Sequence, residues 1–199
     1  MPHVDYYLTL ASPYAYMGHA RFAALTKKLS TKVVIKPVNM GEILSKTGGL
    51  PVGKRSSARQ AYRFQELERW QKYLNIPLNL RPKFFPVDDT QAAGVVIAAE
   101  FEGGNGVNLA GAYLNAVWVE EKNIAEPDTI ISIANGLGLD GKQLLNQSVS
   151  EKVIKIYEDN TQNALDVGVF GAPTYVVGEQ LFWGQDRIEF LGDLLKLNS

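Results

Sequence analysis

The chain opens on a short stretch rich in β-branched and aromatic side chains. Residues 3–10, HVDYYLTL, predict a strand. It stops at Ala11-Ser12-Pro13, where Ser12 is a good N-cap and Pro13 suits the first helical position. Residues 14–29 carry a helical pattern, and KVVIKPV at 32–38 predicts a second strand. Strand, helix and strand joined by a crossover of this length point to a parallel βαβ unit.

From 39 to 150 the pattern changes to loops and helices. The Gly-, Lys- and Ser-rich loop 46–57 precedes a helix at 58–74 that places Leu67, Trp70 and Leu74 on one face. Asp88 or Asp89 can cap a small-residue helix at 91–101. A further helix is expected at 109–121, and two shorter ones after Asp128 and Asp140. The last third returns to α/β signals. Ser150 and Glu151 open a helix that ends at Gly168, and residues 173–177 and 181–183 flank a turn as a β-hairpin. A final helix covers 187–197. The order β-α-β, helical block, α-β-β-α is thioredoxin topology with an insertion between its halves. We therefore expect an α/β thioredoxin-like core at 1–45 and 165–199 and an all-helical insertion at 46–164.

Composition narrows the chemistry. With 199 residues and 46% hydrophobic content the chain can bury a sizeable core. A net charge of −1 gives no footprint for nucleic acid or an anionic membrane surface. No apolar run approaches bilayer length, so a cytoplasmic protein is the simplest expectation. There is no cysteine, which removes disulfides, a cysteine nucleophile and cysteine metal ligands. His3 and His19 are the sole histidines, which argues against a histidine-rich metal site. If thiol chemistry occurs here, the sulfur arrives on a ligand.

Ser12 is the first candidate for that chemistry. It sits where a strand meets a helix, and the amides and dipole of the helix N-terminus favour an anion there. Its hydroxyl can donate to a thiolate held in the same field, or Ser12 can simply cap its helix. No base stands near it in sequence to make it a nucleophile.

Leu10-Ala11-Ser12-Pro13-Tyr14-Ala15-Tyr16 resembles the S-P-Y/F-S-Y segment of 2-hydroxychromene-2-carboxylate isomerases and kappa-class glutathione transferases, both in the DsbA-like branch of thioredoxin folds. In that branch a serine replaces the first redox cysteine, and Ala15 stands here at the second. Gly168-Val169-Phe170-Gly171-Ala172-Pro173-Thr174 is similar to the family's G-V-F-G-V-P-T. This implies a cis bond at Pro173 and a backbone contact from Ala172 to the cysteinyl part of glutathione. Phe182-Trp183-Gly184-Gln185-Asp186-Arg187 resembles W/F-G-N/S/Q-D-R, which assigns Gln185 and Asp186 to the γ-glutamyl end. In the loop Thr47-Gly48-Gly49-Leu50-Pro51, Gly49 stands where relatives carry asparagine, so a side-chain contact to the cofactor is missing.

The positive stripe Lys54, Arg55, Arg59 and Arg63 reads either as a solvated helix face or as a receptor for a carboxylate. The segment Lys83-Phe84-Phe85 matches the place where relatives hold their aromatic substrate, so Lys54, Phe84 and Phe85 are candidate substrate contacts, and the two phenylalanines read equally well as core.

Taken together, the resemblance implies a glutathione-dependent isomerase acting on 2-hydroxychromene-2-carboxylate or a similar intermediate of aromatic catabolism. Ser12 would be the catalytic residue and the protein a homodimer. A kappa-like transferase or peroxidase, and a non-catalytic thioredoxin-like binding module, are the alternatives.

Overall fold

The computed structural model describes residues 3–197. Strand β1 (His3–Leu8) leads into helix α1 (Pro13–Lys28) and strand β2 (Lys32–Pro37). Strands β3 (Thr174–Val177) and β4 (Gln180–Trp183) follow much later, and the sheet order is β2-β1-β3-β4. β1 and β2 are parallel, with His3 opposite Lys32. The β1–β3 and β3–β4 pairs are antiparallel. The mixed sheet is the expected thioredoxin-like arrangement.

Between β2 and β3 run seven helices among the described residues: α2 (Met40–Lys46), α3 (Ser57–Leu74), α4 (Thr90–Phe101), α5 (Gly106–Trp118), α6 (Pro127–Gly136), α7 (Gly141–Ser148) and α8 (Glu151–Asp166). Helix α9 (Ile188–Leu197) closes the chain. α2 falls in a stretch to which the sequence pattern assigns no element. Asn39 caps it by accepting from the Glu42 amide at 3.1 Å, and Gly48 ends the segment at φ 77°. α5 begins and ends three residues earlier than its pattern suggested. α7 and α8 are capped as expected by Asp140 and Ser150, and Ser56 caps α3; α6 instead starts at Pro127, so Asp128 lies in its first turn and does not cap it.

One cluster of buried side chains runs from Val4 and Tyr6 of β1 through Val95 of α4 and Leu114 of α5 to Leu195 of α9. Sheet and helical layer thus share a core, a second cluster joins Tyr7 and Val176 of the sheet to Ile43 of α2 and Ala164 of α8, and both hold position through burial of apolar area. α4 is buried at every position from Ala92 to Ala99, which explains its small residues: it is surrounded.

The α1–α5 contact contains a polar residue. His19 is buried, its Nε2 lies 2.9 Å from the Val107 carbonyl, and its Nδ1 lies 3.2 Å from the Tyr6 hydroxyl. A Cβ on Gly111 would come within 2.8 Å of the imidazole, so glycine makes the approach possible. These partners suit a neutral ring with the proton on Nε2. Burial lowers its pKa from 6.5 to about 4. The folded state therefore resists protonation, so the stabilisation is present above 6.5 and is lost as pH falls towards 4. We expect this residue alone to remove about 3 kcal/mol of stability over that window. Ring-proton NMR titration checks it: the His19 signal should stay neutral to below pH 5, and a midpoint near 6.5 contradicts the assignment.

Candidate functional site

The site is built where α1 begins. Ser12 occupies the N-cap with φ −83° and ψ 123°, and its Oγ accepts from the Ala15 amide at 3.1 Å. The same hydroxyl donates to the Ala172 carbonyl at 3.3 Å. That second bond is long, so the proton can turn to a better acceptor at little cost. Ser12 is thus a cap, and its hydroxyl also faces the loop that precedes β3.

The Ala172–Pro173 peptide is cis. Pro173 is buried and its carbonyl accepts from the Gly184 amide at 2.9 Å, which ties the loop before β3 to the end of β4. Next to Gly184, Gln185 is 2% exposed. Arg21 of α1 grips it by donating to its main-chain carbonyl at 2.6 Å and to its side-chain Oε1. Gly18 permits this contact, since a Cβ there would lie 2.9 Å from the Gln185 Cβ. Asp186 is exposed and accepts from Arg187 at 2.7 Å. Its carboxylate keeps capacity for a ligand.

Two lobes of one cleft meet at these residues. The first, about 560 Å³, is lined by Gln185 and Asp186 on one side and by Arg59 and Trp70 on the other. The second, about 520 Å³, holds Ser12, Phe85 and Asp89. Tyr14, Arg55, Arg63, Ala172 and Trp183 border both. Trp183 packs on Phe170 with ring centroids 4.7 Å apart, and both rings are largely exposed.

The structure sorts the other candidates. Phe85 lines the second lobe and packs at a tilt against Trp118 with centroids 5.1 Å apart, whereas Phe84 lies outside the lining with Lys83 over its ring at 5.0 Å. Lys54 ends a short 3-10 turn, Val52–Lys54, and is exposed beyond the cleft, while its neighbours Val52 and Arg55 line it. Gly49 stands behind Leu44, and a Cβ there would strike the Leu44 Cδ2. A side chain at 49 would require the end of Leu44 to turn aside.

Asp89 is the residue whose task the sequence did not reveal, since Asp88 and Asp89 were equal candidates for the cap of α4. By position it is the N-cap of α4, yet its side chain makes no capping bond. Its Oδ2 instead reaches back to the loop between β1 and α1. There it accepts from the Thr9 hydroxyl at 2.5 Å, the Leu10 amide at 2.6 Å and the Ala11 amide at 3.3 Å. Burial raises its pKa, and the three donors offset that only in part. Asp88 takes the local role by accepting from the Thr90 amide at 3.0 Å. The Asp-Asp pair carried the signal of a cap, and nothing local tells which carboxylate leaves it.

A thioredoxin-like sheet with a serine at the head of α1, facing a cis-proline loop, defines a cysteine-free member of the thioredoxin class. The chain belongs to the DSBA-like thioredoxin domain family, whose model matches residues 3–196. It is 26% identical to the glutathione S-transferase kappa 1 of Caenorhabditis elegans, over 98% of this chain and 92% of that one. It is 25% identical to a 2-hydroxychromene-2-carboxylate isomerase of Sphingobium xenophagum, over 96% and 97%. Among solved structures, a 2-hydroxychromene-2-carboxylate isomerase superposes with a TM-score of 0.79 at 20% identity, covering 97% and 94% of the two chains. The cytosolic disulfide reductase DsbM of Pseudomonas aeruginosa, solved with GSH, superposes at 0.72 with 18% identity over 98% and 99%. The resemblance read from the motifs is therefore the family relationship.

Proposed function

We propose that this protein is a glutathione-dependent isomerase of a 2-hydroxychromene-2-carboxylate-like aromatic intermediate. The observation that carries the reading is Ser12: a hydroxyl donor at the N-terminus of α1, against Ala172, opening onto a cleft in a chain without cysteine. The relatives named as isomerases and kappa transferases, and the neighbour solved with GSH, support glutathione as the thiol.

The residues present fit that tripeptide. Asp186 offers a carboxylate for an ammonium at one end of the cleft. Ala172 offers backbone groups in the middle, and Ser12 lies in the adjoining lobe. When bound, glutathione supplies a thiolate that adds reversibly to an electrophilic carbon and so permits rotation about a former double bond. Ser12 would donate a hydrogen bond to the sulfur, and the helix amides would add positive potential, both lowering the thiol pKa. Phe85 and Trp183 give apolar area for an aromatic ring. Arg21 holds Gln185 against α1 so that the γ-glutamyl contacts are set beforehand.

The deciding assay follows chromene carboxylate isomerisation by ultraviolet absorbance with and without glutathione, while total thiol is measured in parallel. Turnover that requires glutathione and leaves it unconsumed is expected. Stoichiometric loss of thiol moves the assignment to a kappa-like transferase, the reading favoured by the similarity to the Caenorhabditis elegans protein. Absence of both turnover and glutathione binding removes the enzyme reading altogether.

A further inference from the structure

The cleft contains a positive charge that the protein leaves unpaired. Arg63, on α3, is 6% exposed, and its Nη2 is buried with no hydrogen-bond partner among the described residues. The guanidinium lies among aromatic rings, 5.1 Å from the centroid of Phe85, 5.9 Å from Phe64 and 6.0 Å from Trp118. Glu66, one turn further along the same helix, gives its carboxylate to Arg69 at 2.5 Å. The groups that act on Arg63 by charge are Tyr14 and a second cation, Arg55, and no acid is among them.

A buried guanidinium is retained at a cost unless something pairs with it. Ring faces offset part of that cost, since they attract a cation. They leave the Nη2 hydrogens unsatisfied, because a ring accepts them only weakly. The planar fork of an arginine matches a carboxylate through two parallel bonds, which a lysine ammonium cannot reproduce. The other cations of the stripe are poorer candidates. Lys54 is exposed outside the cleft, Arg59 is exposed at its edge, and Arg55 donates to the Leu50 carbonyl at 2.8 Å.

We propose that Arg63 is the carboxylate receptor of this cleft and fixes its preference for an acidic ligand. For the identity of that ligand the inference rests on the glutathione-dependent reading. Because Arg63 borders both lobes, the carboxylate comes either from the glycyl end of glutathione or from the aromatic substrate.

Calorimetric titration separates the sources without any turnover. The probes are trans-cinnamate, its neutral amide and S-methylglutathione, against the native protein, Arg63→Met and Arg63→Lys. Methionine fills apolar space flexibly and removes the charge. The native protein should prefer cinnamate over the amide by about tenfold or more, and Arg63→Met should erase the preference. Arg63→Lys should keep only part of it. Weakening of S-methylglutathione by a similar factor, with cinnamate untouched, assigns the carboxylate to the tripeptide.

The melting temperature of ligand-free Arg63→Met should not fall, since an unpaired buried charge has been removed. Unchanged binding of all three probes overturns the proposal, with or without a lowered melting temperature; a lowered one would make Arg63 a structural cation. An absence of isomerase activity would leave these binding outcomes intact, so the two readings fail separately.

Discussion

Replacing Ser12 by alanine is expected to lower glutathione-dependent turnover about 100-fold while the protein stays folded. The two halves of that statement come from two different bonds. The donor half is the hydroxyl proton, which rests on the Ala172 carbonyl at 3.3 Å and is free to turn to a sulfur anion. A hydrogen bond to a charged acceptor inside a partly dry cleft is among the stronger ones a serine makes. Its loss also lets the thiol pKa rise towards its free value, so less thiolate is present at neutral pH.

The structural half is the cap bond from the Ala15 amide at 3.1 Å, whose removal costs about 1 kcal/mol. Chemical denaturation and kcat at saturating glutathione measure the two halves separately. Thiolate absorbance of bound glutathione against pH supplies a third readout: its midpoint should move up in the alanine variant. Turnover within threefold of native would falsify the role given to Ser12.

Much of the fold was legible because its signals are local. The strand at β1, the Ser12-Pro13 start of α1 and the hairpin of β3 and β4 each announce themselves within a few residues, through composition, a cap and a turn. The short helix α2 escaped because seven residues are too few for a periodic pattern to register, although Asn39 and Gly48 marked its ends. Site residues were legible in proportion to how local their task is. Ser12, Ala172 and Gln185 sit at element boundaries and meet through β1 and β3, which pair directly.

The arginine stripe shows the limit. Spacing put Arg55, Arg59 and Arg63 on one face, and they do face one cleft. Whether a member of that face lies at the rim or under aromatic rings depends on Phe85 and Trp118, which come from distant parts of the chain. Phe84 and Phe85 differ for the same reason: adjacent residues with equal sequence weight are separated by what packs against each.

The second large effect is expected at Asp89. Replacement by alanine should destabilise the protein by about 3 kcal/mol and also reduce turnover about tenfold or more. Asp89 is a strut from the start of α4 to the loop that carries Ser12, and its Oδ2 gathers the Thr9 hydroxyl and two loop amides. Without it the Leu10 amide loses its acceptor, while Ala11 retains a bond to Thr9 Oγ1 at 3.3 Å. A buried amide left without a partner costs more than the bond it had gained. Ser12 follows Ala11 directly, so a loop that relaxes moves the hydroxyl away from Ala172.

Asparagine at 89 should behave differently from alanine. It keeps a carbonyl oxygen for the same donors and no longer has to bury a charge, so we expect most of the stability and turnover to return. The pH dependence follows the same logic. Burial raises the Asp89 pKa, so its contribution is fully present below the ordinary aspartate value and is lost as pH rises through the raised one. This runs opposite to His19, whose contribution fades as the solution becomes acid. Asp89→Asn should therefore remove the loss of stability that sets in as pH rises above the ordinary aspartate value, and leave the opposing dependence of His19 in place. Denaturant midpoints from pH 4 to 8 for both variants test this. Equal damage from asparagine and alanine would mean that the negative charge itself, acting on the loop amides and the start of α1, is what the strut supplies.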